Sequence, residues 1–81
     1  MSNLAKHGVD FVEVDDTFWS DPMALTVEDP DHYEQRFVSI AANGLGAILV
    51  VVYSYPDEET IRVISARRAG PLERRQYEAG R

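Results

Sequence analysis

Apolar positions recur at two different spacings along this chain, and the change between them predicts its architecture. Phe11, Val14 and Phe18 fall three and four apart, one stripe of a helix. Asp10 in front of them and Glu13 three residues on have the form of a capping box, with Val9 and Val14 at the stapling positions. The spacing predicts a helix from Asp10 that ends before Pro22, with Glu13, Asp15 and Asp16 on its exposed side. From Met23 the period becomes two: Met23, Leu25 and Val27 alternate with Ala24, Thr26 and Glu28, the pattern of a half-buried strand.

Asp29-Pro30-Asp31-His32 is turn chemistry, and a second strand follows over residues 33–42. Asn43-Gly44 marks a hairpin into a third strand over 47–55, whose unbroken run Ile48-Leu49-Val50-Val51-Val52 suits a central strand covered on both faces. Pro56-Asp57-Glu58-Glu59 turns the chain into a fourth strand, 60–67. Gly70-Pro71-Leu72-Glu73 opens a last helix to about residue 79, with proline at its first position, glutamate at its third, and Leu72 and Tyr77 as inward anchors. Leu4-Ala5-Lys6-His7-Gly8 has the marks of a helix end, with Gly8 at the left-handed position after it. One or two turns are not stable alone, so the chain reads as starting inside a helix. The prediction is an α+β fold: two N-terminal helices, a four-stranded antiparallel meander and a C-terminal helix, with the helices against one face.

Length and composition narrow the function. Eighty-one residues make a single domain, 1–81, with room for one core. The absence of cysteine removes disulfides, thiolate metal sites and thiol nucleophiles. The longest apolar run is far shorter than a membrane span, and the first residues carry no signal-peptide stretch, so a cytoplasmic protein without membrane contact is expected.

Charge adds a contrast. The net charge is −6, which argues against a general nucleic-acid binder. Yet five of the eight Lys and Arg residues (Arg62, Arg67, Arg68, Arg74, Arg75) crowd into the last strand and helix. Nine acidic residues lie between Asp10 and Glu34, so the two halves present different surfaces.

Candidate chemistry follows from that segregation. Glu28, Asp29, Asp31 and His32 place four metal-ligating types within five residues, but a hairpin turn points such side chains into water, and neither a metal nor another cofactor is expected. Gly44 and Gly46 lie between two strands and make no phosphate loop; Ser65 has no strand-turn-helix elbow. The arginines remain. Guanidinium groups bind phosphate bidentately and stabilise charge developing on it. In a regular strand Arg62 shares a face with Ile64 and Ala66 while Arg67 points the other way, and Arg36 on the second strand stands on the face of Arg62. RNA cleavage without a metal needs such cations, a base for the 2′-oxygen and an acid for the leaving oxygen. His7, Tyr77 and Glu73 are the titratable groups that the predicted order brings near.

Several segments together resemble one family. Lys6-His7-Gly8-Val9-Asp10-Phe11, Phe18 with Asp21-Pro22, Thr26-Val27-Glu28-Asp29, Glu34-Gln35-Arg36-Phe37, Leu49-Val50-Val51-Val52, Arg62-Val63-Ile64-Ser65-Ala66-Arg67-Arg68-Ala69 and Glu73-Arg74-Arg75-Gln76-Tyr77-Glu78 occur in this order. In these the chain resembles the BrnT toxins of bacterial type II toxin–antitoxin systems. The resemblance implies a RelE-like fold and a small cytoplasmic endoribonuclease that inhibits growth. It implies neutralisation by a BrnA-like antitoxin in a hetero-oligomer that reaches promoter DNA only through the antitoxin. It also implies that Arg62 and Arg67 belong to the RNA-cleaving surface, with Tyr77 and His7 as further catalytic candidates and Arg36 and Arg68 as phosphate-binding ones. Asp15 and Asp16, on the acidic side, are the expected antitoxin contacts. The family pattern places a short strand ahead of the helix that ends at Gly8; this chain reads as starting inside that helix, either because the true start lies upstream or because it is a shortened variant. The rival readings are a shortened, non-catalytic module that retains only the antitoxin surface, and an acidic decoy that mimics nucleic acid.

Overall fold

In a computed structural model of the chain, described for residues 9–29 and 35–80, a single four-stranded antiparallel sheet organises the molecule. The strands β1 (Leu25–Asp29), β2 (Arg36–Ala42), β3 (Ile48–Asp57) and β4 (Thr60–Arg68) lie in the order β1-β2-β3-β4, the expected meander. A 3₁₀ turn at Phe11–Glu13 and a single α-turn, α1 (Asp16–Trp19), precede the sheet, and α2 (Pro71–Ala79) follows it. The helix end at Gly8 and the turn at Pro30-Asp31-His32 lie outside the described residues. Among the described residues no helix is long and apolar enough to cross a membrane.

The helix expected from Asp10 is broken in two, and the side chains show why. Asp10 does cap a turn, its Oδ1 accepting from Val12 N at 3.1 Å. The Glu13 carbonyl, which a continuing helix would use, accepts instead from Asn43 Nδ2 at 3.0 Å. Val14 then leaves the helical region and Asp15 caps a second turn, accepting from Phe18 N at 3.0 Å. Short polar side chains that bond nearby backbone compete with helix continuation, and here they win. Glu13 is therefore no capping-box partner; its carboxylate lies 3.6 Å from Arg68.

The strand ends shift for similar reasons. Asp21 Oδ1 accepts from Met23 N at 2.9 Å and the Asp21 carbonyl from Ala24 N at 3.1 Å, so the turn at Pro22 holds until β1 starts at Leu25. The hairpin between β2 and β3 spans residues 43–47: Gly46 N donates to the Asn43 carbonyl, and Gly46, at φ +84°, takes the left-handed position rather than Gly44. β3 runs on through Pro56 because the pairing with β4 is irregular between Ser54 and Asp57, where a residue without an N–H is tolerated.

The helices cover opposite faces of the sheet, not one face as the sequence suggested. On the first face Leu49, Val51 and Tyr53 of β3 pack with Ala41, Ala66, Phe18 and Val9, all at most 5% exposed. Trp19 meets Tyr53 edge-on with ring centres 4.9 Å apart, and Phe37 stacks on Tyr53 at 5.7 Å. A hydroxyl chain, Thr26–Ser39–Tyr53, runs through this face with both links at 2.8 Å, which satisfies its buried polar atoms. Val9 N donates to the Ala66 carbonyl at 2.9 Å, tying the start of the described chain to β4.

The second face carries α2. Tyr77 is buried there as expected, whereas Leu72 is 64% exposed and anchors nothing. Glu73 of α2 bonds Arg67 of β4, and Gln76 lines a groove with Leu25 and Ile40 of β1 and β2. The helix therefore crosses the strands at one end of the sheet. The apolar alternation of β1 belongs to this face, and it is not half-buried: Leu25 is 36% and Val27 62% exposed.

Candidate active site

The register of the strands assembles a row of side chains that the linear sequence hides. Asp29 pairs with Arg36, Arg36 with Ser54, and Ser54 with Arg62. Directly opposed residues in a sheet share a face, so these four side chains cross all four strands in one line. Two arginines thus stand on either side of one serine in this row, with an aspartate at its end. Their backbones are about 10 Å apart across Ser54, well within the combined reach of two arginine side chains.

A bulge determines which arginines share that face. Val52 pairs with Ser65 and Tyr53 with Val63, which leaves Ile64 as an extra residue in β4. The inserted residue reverses the alternation beyond it. Arg62 and Arg67 consequently stand on the same face, the one bearing α2, where a regular strand would have separated them. The expected match of Arg62 with Ile64 and Ala66 is replaced by Arg62 with Ser65 and Arg67.

The electrostatics of the row differ from those of its surroundings. Among the described residues, two buried side-chain atoms lack a hydrogen-bond partner, Arg36 Nε and Ser54 Oγ, and they are neighbours in this row. Ser54 is 1% exposed. An unmet buried polar atom costs about 1–3 kcal/mol, so this row carries an internal cost to stability.

Two further arginines of the cluster, Arg67 and Arg68, meet carboxylates. Arg67 makes a two-pronged contact with Glu73, Nη1 to Oε1 at 2.8 Å and Nη2 to Oε2 at 2.6 Å, and also reaches the Arg68 carbonyl at 3.3 Å. Glu73 Oε1 further accepts from Gly70 N at 2.8 Å, closing the start of α2 where glycine has no side chain to offer. The Arg67 guanidinium and then the Gly70 N–H hold the Glu73 carboxyl down at about 2, and the same bond raises Arg67. Arg68 leaves by the opposite face, opposite Leu49, and meets Glu13.

Tyr77 is 5% exposed and donates its hydroxyl to Asp21 Oδ2 at 2.6 Å. That oxygen also accepts from Ala42 N at 3.0 Å, so Tyr77 fastens α2 to the end of β2 and the turn before β1. Asp15 accepts from Phe18 N and, at 3.0 Å, from Gly44 N, and these two donors in that order lower its pKa. A Cβ on Gly44 would stand 2.9 Å from Asp15 Oδ2, so the carboxylate would have to shift to admit a side chain there. Asp16 is exposed at the first position of α1. His7 lies outside the described residues.

Arg36 and Arg62 are thus brought together, while Arg67, Arg68 and Tyr77 are placed in separate structural contacts. Sequence reasoning missed Ser54 and Asp29 as members of the row. The signal for Ser54 was a lone hydroxyl two residues past Val52 in an apolar strand; Asp29 was legible only as part of a turn.

No curated protein matches the chain significantly. Residues 1–73 match a family model, BrnT_toxin, described as the ribonuclease toxin BrnT of type II toxin–antitoxin systems. With nine-tenths of its length covered by that match, the chain belongs to the BrnT family of ribonuclease toxins of type II toxin–antitoxin systems.

Proposed function

We propose that this toxin is an endoribonuclease of RelE-like fold that binds the scissile phosphate of RNA on the Arg36–Ser54–Arg62 row and cleaves it without a metal. The observation that carries the reading is the register that sets Arg36 and Arg62 on one face on either side of Ser54. Cleavage by the 2′-oxygen passes through a phosphorane bearing extra negative charge. Two guanidinium groups converging from either side of Ser54 stabilise that charge more strongly than they stabilise the starting diester, which is the condition for catalysis. Asp29, at the end of the row, serves as the base for the 2′-hydroxyl.

In this reading Arg67 and Tyr77 act as positioning residues. Arg67 holds the start of α2 through Glu73, and Tyr77 holds its end through Asp21. His7 keeps its candidacy as the acid for the leaving oxygen on the family resemblance alone. A BrnA-like antitoxin neutralises the protein, and the complex acts in the cytoplasm.

The test is cleavage of a mixed-sequence RNA by the purified chain in EDTA, beside Arg62→Ala. Persistence of cleavage in EDTA with loss in the variant supports the reading. Dependence on added divalent metal, or equal activity from both proteins, overturns it.

A further inference from the structure

Among the side chains that β4 sends to the face of α2, three in succession are polar: Arg62, Ser65 and Arg67. The extra residue at Ile64 produces the series, because a regular strand would send Arg62 and Ser65 to opposite faces. The rest of the face is built differently. Beside the Asp29–Arg36–Ser54–Arg62 row, register gives Val27–Val38–Val52–Ser65, and beyond it Leu25–Ile40–Val50–Arg67. Both rows are aliphatic across β1, β2 and β3 and become polar at β4.

That pattern limits where a bound phosphate chain can go. A phosphate moved from Arg62 towards the middle of the face meets valines, where a charged group gives up water and gains no hydrogen bond. Moved along β4, it meets the Ser65 hydroxyl. Ser65 is exposed, and among the described residues nothing bonds that hydroxyl. Arg67, at the next position, is paired with Glu73. Successive positions on one face lie about 7 Å apart along a strand, a gap that the long Arg62 side chain covers, so one anion can touch both Arg62 and Ser65. Ser54, in the neighbouring row, does not compete for this contact, since it is 1% exposed.

We infer that Ser65 is a further RNA-binding residue of this ribonuclease. Its hydroxyl donates to a non-bridging oxygen of the phosphate that Arg62 holds, and the RNA backbone at that point follows β4 instead of crossing the sheet. The inference deepens the ribonuclease reading and rests on it. A non-bridging oxygen is charged in the diester and in the phosphorane alike. This bond therefore serves substrate and transition state together, and its loss falls on KM more than on kcat. Arg62 meets the charge that develops, so its loss falls on kcat.

The experiment compares wild type, Ser65→Ala, Ser65→Thr and Arg62→Ala on one mixed-sequence RNA in EDTA. Affinity is measured in parallel for the same RNA methylated on its 2′-oxygens, which cannot be cleaved by them. Ser65→Ala is expected to raise KM about tenfold at nearly unchanged kcat, to weaken binding of the methylated RNA by a similar factor, and to melt like wild type. Ser65→Thr keeps the hydroxyl and should restore most of both. An Arg62→Ala that loses cleavage beside a Ser65→Ala that matches wild type in KM and affinity overturns the Ser65 contact and leaves the ribonuclease reading standing. So does a Ser65→Thr as impaired as Ser65→Ala, which assigns the effect to the shape of the strand. Where the wild type does not cleave, the ribonuclease reading fails and affinity for the methylated RNA decides the contact. Binding about tenfold weaker in Ser65→Ala then upholds it; unchanged or undetectable binding overturns it.

Discussion

Arg62 and Arg67 stand on the same face of the same strand, yet they occupy opposite chemical situations. Arg67 is matched in charge and geometry by Glu73, whose carboxyl it holds at about 2, and the pair closes the entry to α2. Arg62 lies in a row with a second arginine and a buried serine, where Arg36 Nε and Ser54 Oγ have no partner. The difference separates two uses of one residue type. Arg67, bonded to a carboxylate at the start of a helix, contributes to the fold; Arg36 and Arg62, set in one row across the sheet, are the pair proposed to meet RNA phosphate.

The largest effect is expected where the comparison is broken at its open end. Arg62→Ala and Arg36→Ala should each lower RNA cleavage about 10²–10³-fold, as the loss of one transition-state donor does. Their melting temperatures should stay close to wild type. Ser54→Ala sharpens the same point with a smaller effect. Removing a buried hydroxyl that has no partner should leave stability unchanged or slightly raised in a denaturant melt, with cleavage close to wild type. A loss of cleavage without a loss of stability would instead show that the hydroxyl meets RNA.

At the closed end the effects fall on stability. Tyr77→Phe removes the 2.6 Å bond to Asp21 from a buried site and should cost about 1–2 kcal/mol, read by denaturant melts at neutral pH. Glu73→Gln should cost about 1 kcal/mol, because the Arg67 side chain is half exposed and solvent screens the pair. Its pH dependence has a definite sign. The folded pKa of Glu73 is depressed, so its contribution is present above the unfolded value near 4.5 and is lost as pH falls towards 2. The stability gap between wild type and Glu73→Gln should therefore shrink through that window; a gap constant from pH 6 to 2.5 would assign the cost to packing.

What was legible in the chain beforehand divides along the same line. The meander was readable because Ile48 to Val52 could only be a covered central strand and the turns around it carry Asn, Gly, Pro and Asp. The arginine cluster was readable as composition. Its division into two groups was not, because that depends on the unpaired Ile64, and a bulge leaves no mark in an apolar alternation. The broken first helix was equally hidden: it follows from Asn43 taking the Glu13 carbonyl 30 residues away. The burial of Tyr77 was foreseen, but its bond to Asp21 joins residues 56 apart and is set by where α2 lies.

The central claim is that Arg62 and Arg67 of β4 do different work, and one paired measurement tests it: RNA cleavage and thermal stability of Arg62→Ala and Arg67→Ala side by side. Arg62→Ala should lose cleavage about 10²-fold or more and melt like wild type. Arg67→Ala should melt lower by about 4–8 °C and still cleave at a temperature where it is folded. A folded Arg67→Ala with cleavage abolished, or an Arg62→Ala that cleaves normally, would contradict the account.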